Sequence, residues 1–147
     1  MIMKITKAKI SKYFTETFAG VVGGSIFGML GLIPGMNYPS ICPKIIDTIF
    51  GTQGYESCGS FTALIGILIG IIITIFAIRK LKQSNKVKNI ISIVLLIVIP
   101  YLLVIIGMGI EDILVVPPVI LIFVLLSIIP SLIITFLMNW KTFFPKK

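Results

Sequence analysis

Four long apolar runs, separated by three polar connections, set the pattern of the chain. The runs cover residues 14–34, 61–78, 90–110 and 113–138. A helix needs about 20 apolar residues to cross a hydrocarbon core of about 30 Å. Each run is close to that length, and the pattern predicts four membrane-spanning helices. The second run is the shortest. Its eighteen residues, FTALIGILIGIIITIFAI, reach across only if Arg79 and Lys80 snorkel to the surface.

The first run is unusual in its glycines. ETFAGVVGGSIFGMLGLIPG, residues 16–35, holds Gly20, Gly23, Gly24, Gly28, Gly31 and Gly35. At about 100° per residue, Gly20, Gly24, Gly28, Gly31 and Gly35 fall within an arc of roughly 80°, with Gly23 just beside it. The second run carries its own small-residue stripe, Gly59, Ala63, Gly66 and Gly70, within about 60°. Small residues let membrane helices approach closely. These two consecutive, antiparallel helices are therefore expected to bring the faces together, or to offer one of them to a partner. In the fourth run Ser127, Ser131 and Thr135 form a small-polar stripe.

The connections differ in character. Pro34-Gly35 predicts the end of the first helix, since proline removes a donor and glycine frees the backbone. Residues 36–60 form a long loop. Within it PKIIDTIF, residues 43–50, sets Ile45, Ile46, Ile49 and Phe50 on one side and Lys44, Asp47 and Thr48 on the other. That predicts a short amphipathic helix at the interface, with Gly51 suited to its end. RKLKQSNKVKN, residues 79–89, is a polar turn of five cations and no acid. Pro100 is expected to interrupt the third span, and Pro117-Pro118 and Pro130 mark the fourth.

Composition changes the solvent. The chain is 57% hydrophobic and 12% charged, against about 25% charge in soluble domains. A water-soluble fold of 147 residues cannot hide that much apolar surface. The expected class is an all-α, polytopic integral membrane protein, a single four-helix bundle spanning residues 1–147. An N-terminal leader peptide is not the expected reading of the first run, which exceeds an h-region of about 7–15 residues.

Charge sets the orientation. The formal net charge is +8. Twelve of the thirteen basic residues lie in the arm before the first span, in the 79–89 turn, or in the tail. The exception is Lys44. Asp47, Glu56, Glu111 and Asp112 lie in the other two connections. This positive-inside pattern predicts both termini in the cytoplasm, most simply at the cell membrane. The basic clusters suit anionic lipid headgroups. Their placement at span ends excludes specific nucleic-acid binding. Trp140, Phe143 and Phe144 beside Lys141 resemble an aromatic anchor at the inner interface.

Candidate chemistry is sparse. Glu16 sits on the glycine arc near the basic end, so it faces protein. It is the candidate ion or proton site, although Lys12 and the helix N-terminus are near enough to stabilise it as a structural group that reaches water. Cys42 and Cys58 flank the short helix in the exterior loop and are candidates for a disulfide. Their spacing is not the C-x-x-C of common redox pairs. Glu111-Asp112 supply too few ligands for a cation. There is no histidine and no phosphate-binding, nucleophile-elbow or dinucleotide motif, so no metal or cofactor is expected. The leading expectation is a non-enzymatic accessory or assembly subunit, packing through Gly20, Gly24, Gly28, Gly31, Gly66 and Gly70 against other membrane subunits or itself within the lipid bilayer. A homo-oligomeric pore or small transporter is the alternative. A membrane thiol-redox protein using Cys42 and Cys58 is a distant third.

Overall fold

A computed structural model describes residues 7–52, 54–107 and 116–140. The described chain is helical throughout, with α1 Lys7–Asn37, α2 Ile45–Phe50, α3 Tyr55–Lys80, α4 Asn85–Gly107 and α5 Val116–Met138. A single 3-10 turn, Pro39–Ile41, links α1 to α2. The four long helices are each long and apolar enough to cross a membrane.

The first three spans begin or end outside their apolar runs, while α5 lies within its own. α1 includes six residues of the basic arm and continues through Pro34 to Asn37. The expected stop at Pro34-Gly35 is therefore three residues early, and Gly35 is buried inside the helix. α3 starts at Tyr55, six residues before the apolar run, and α4 starts at Asn85. The polar turn shrinks accordingly to residues 81–84. Polar residues extend a membrane helix into the interface freely, because the backbone stays paired whatever its side chains meet. The α4 helix also runs unbroken through Pro100. The expectations for Glu111, Asp112, Lys141, Phe143 and Phe144 fall outside the described residues.

Side chains are distributed inside-out relative to a water-soluble bundle. On α5 the buried positions are Val116, Phe123, Ser127, Ser131 and Thr135. Leu121, Ile122, Leu125, Ile129 and Leu137 point outward instead. α3 buries Gly59, Ala63, Gly66 and Gly70 while exposing Leu68, Ile69, Ile73 and Phe76. Hydroxyls and glycines inside, with large aliphatic groups outside, suit hydrocarbon as the surrounding medium. The apolar core is small: Ala63, Ile67, Ile71, Ile75 and Phe123, with Ile71 and Ile75 fully enclosed.

α1 occupies the centre. Half of its apolar window is buried, against 33% for α3, 22% for α5 and 11% for α4. The other three spans pack around it, with α3 making by far the closest approach. At the end remote from the lysine clusters, the loop is closed by a Cys42–Cys58 disulfide. A cross-link around a loop of that size restricts the unfolded chain by about 3 kcal/mol. The short helix α2 ends at Gly51 in the left-handed region, φ 67°. Only Ile46 of its apolar side is buried, while Ile45 and Ile49 are exposed. Ser57, on α3, donates to the Asp47 carboxylate and ties α2 down.

Candidate functional site

At the opposite end, all four spans contribute to one cleft of about 430 Å³. Lys12, Thr15 and Glu16 come from α1, Ile78 and Arg79 from α3, Asn85 and Lys88 from α4, and Met138 from α5, with Asn139 just beyond it. The alternating directions of the helices explain the gathering. The start of α1, the end of α3, the start of α4 and the end of α5 all fall at one face. It is the face to which the sequence assigns most of its lysines.

Glu16 is the centre of the cleft. Its side chain is 2% exposed, so the expectation that it reaches water is corrected. Arg79 grips it bidentately, with Nε donating to Oε1 at 3.0 Å and Nη2 to Oε2 at 2.9 Å. Asn139 Nδ2 donates to Oε2 at 2.7 Å and also to the Thr135 carbonyl at 2.8 Å. Lys12 stands one turn away, its Nζ 3.8 Å from Oε1. Burial of a carboxylate is costly unless it is paired and hydrogen-bonded. Here both oxygens are served, by groups from α3 and from the residue following α5. Sequence reading identified Glu16 and Lys12 but not Arg79 or Asn139. Arg79 is the only arginine in the chain, and the planar fork suited to a buried carboxylate is peculiar to arginine. That was the signal available.

A polar seam leads inward from the cleft between α1 and α5. Ser131 Oγ donates to the Thr17 carbonyl at 2.7 Å, and Ser127 Oγ to the Phe123 carbonyl at 2.7 Å. Ser127, Ser131 and Thr135 are fully buried. The hydroxyls of Thr15, Thr17 and Thr135 are buried with no hydrogen-bond partner. Across the mouth, Asn85 Nδ2 donates to Ser11 Oγ at 2.8 Å, joining α4 to α1.

The glycines lie along two tracks on α1. Gly23, Gly31 and Gly35 lie against the α3 backbone. A Cβ on Gly23 would sit 2.7 Å from the Gly70 carbonyl oxygen, and one on Gly35 would sit 2.7 Å from Gly59 Cα. A Cβ on Gly31 would strike the Thr62 carbonyl, and one on Gly66 the Phe27 carbonyl. Gly20, Gly24 and Gly28 instead lie against side chains. Gly20 and Gly24 adjoin the Ser131 and Ser127 hydroxyls of α5, and Gly28 adjoins Ile67 and Phe123. All six glycines of α1 thus have neighbours from within the chain.

Cys42 and Cys58 are bonded to each other, so neither is a free thiol. Among the described residues no three histidine, cysteine or carboxylate side chains stand together as metal ligands. The chain matches no known family model, no curated protein and no solved structure.

Proposed function

We propose that this chain is a small, non-enzymatic membrane protein that works as a binding or transport protein through the cleft at its basic end. The observation that carries this reading is the cleft itself, which all four spans line around a buried, charge-paired carboxylate. An ionisable group inside a membrane bundle is expensive to keep and marks a solute or ion path by default. The serine and threonine seam, fully buried beyond the cleft lining, carries polar groups toward the middle of the bundle. The lysine-rich face is cytoplasmic in this reading, and the cleft opens inward.

The test is flux. The full chain, reconstituted in proteoliposomes, is given a potassium or proton gradient that a dye reports. Dissipation should be protein-dependent and slowed about tenfold in Glu16→Gln, the loss expected when one charged contact is removed. No flux from the folded wild-type chain would end the transport reading.

The accessory-subunit reading has one observation of its own. α4 is the least buried span and is held chiefly by α1, which leaves most of its circumference for another protein or for lipid. Stoichiometric foreign subunits copurifying in mild detergent would favour it. The glycine faces contribute less to that reading, because each glycine of α1 already has a neighbour within the chain.

A further inference from the structure

We infer that the cleft binds a phosphate-bearing anion, from an anionic phospholipid headgroup or from a soluble phosphate. The inference rests on the cleft being the working site and names the class of ligand that fits it.

Charge is the first argument. The cleft is lined by three cations, Lys12, Arg79 and Lys88, and by one acid, Glu16. That acid is already engaged by Arg79 and Asn139, so its charge repels an incoming anion less. Arg79 has five N–H donors, of which two are directed to Glu16. Lys88 forms no ion pair among the described residues. Lys12 is 61% exposed at 3.8 Å from its carboxylate, a loose surface pair worth little. Asp47 and Glu56, the other acids among the described residues, belong to the disulfide end of the bundle.

The second argument is independent of charge. Thr15 lines the cleft and is 3% exposed, yet its hydroxyl has no partner. A buried hydroxyl left unpaired costs about 1–3 kcal/mol, and a ligand oxygen that draws the Thr15 side chain toward the cleft relieves that cost. Size is the third. A volume of about 430 Å³ holds about a dozen waters at roughly 30 Å³ each, enough for a headgroup as well as for a bare phosphate. The cleft is lined by residues at the ends of the apolar runs, the depth at which lipid phosphates are expected. Basic pockets between spans on that side suit such headgroups.

The experiment uses the full chain in vesicles of phosphatidylcholine with or without phosphatidylglycerol. Native mass spectrometry reads retained phosphatidylglycerol. Fluorescence of Trp140, the only tryptophan and next to Asn139, reads titrated inorganic phosphate. At least one probe should bind saturably. Lys12→Gln with Lys88→Gln should weaken binding about tenfold, since charge-assisted contacts are lost. Lys80→Gln with Lys82→Gln removes the same charge outside the cleft lining and should change it less than about twofold, being screened. Phosphate that displaces the lipid shows one site serving both; lipid retention untouched by phosphate identifies the headgroup as ligand. Equal losses in both pairs of variants, or no saturable binding of either probe, overturn the inference. Binding without ion flux retains it and removes the transport reading; flux without binding does the reverse.

Discussion

Glu16 shows how one side chain ties three helices together at one end. Its carboxylate collects donors from Arg79, 63 positions later, and from Asn139, 123 positions later. Removing one member of a buried pair leaves the other charge uncompensated, at about 3–5 kcal/mol. Glu16→Ala should therefore lower unfolding stability in detergent by about 3 kcal/mol, toward the small end because Arg79 is partly exposed. Arg79→Lys keeps the charge but loses the two-pronged contact, and should cost about 1 kcal/mol. No loss in Arg79→Lys would show that the fork geometry contributes nothing, and a loss equal to that of Glu16→Ala would show that it carries the whole contact. The sequence placed Glu16 on the right face by helical projection alone. It did not reveal its partner, because Arg79 reads as a snorkelling residue at the end of a span. Only the extension of α3 to Lys80 brings Arg79 beside α1.

At the scale of elements, the close approach of α1 and α3 turns on positions without side chains. Gly70 and Gly59 lie on the same stripe in projection, yet their surroundings differ. A Cβ on Gly70 would strike the Gly23 carbonyl and lie 2.6 Å from Phe27 Cβ. A Cβ on Gly59 would meet Met36 Cγ at 2.9 Å, with Leu32 Cδ1 at 3.5 Å. Backbone cannot yield, but a methionine side chain can. Gly70→Ala should destabilise by about 1–3 kcal/mol through overpacking. Gly59→Ala should fall within about 0.5 kcal/mol of wild type, the gain from a stiffer unfolded chain offsetting the shift of Met36. Thermal unfolding in one detergent compares them directly. Sequence periodicity found the stripes, since small residues recur at helical spacing. It did not separate the backbone-facing glycines from those facing serines, because that depends on the rotation of α1 between two neighbours. Nor did it find the true helix ends: hydropathy marks where lipid stops, while hydrogen bonding continues a turn or more beyond.

For the whole molecule, the arrangement makes two unlike ends, one stapled by a disulfide and one held by charge. Charge placement predicts that the stapled end is exterior. Ser84 and Ser40 lie in connections at opposite ends. Single cysteines there, in a chain with Cys42 and Cys58 replaced by serine, should react differently with an impermeant maleimide. Ser40→Cys should label in intact cells, and Ser84→Cys only in inverted vesicles. The reverse pattern would overturn the orientation. Four spans and their alternation were legible because hydrophobic runs and lysine clusters are one-dimensional signals. The cleft was not, since it exists only where four distant stretches converge.

The pairing of Glu16 with Arg79 also has a consequence for biosynthesis. Glu16 leaves the ribosome 63 residues ahead of Arg79, a delay of about 3–13 s at 5–20 residues per second. Asn139 comes later still. The first helix is therefore synthesised with a carboxylate that has only the loose Lys12 contact of its own helix. The insertion machinery must shelter that group, or leave it at the water boundary, until α3 arrives. A nascent chain stalled before Arg79 therefore holds a carboxylate that lacks the two-pronged contact of the finished protein.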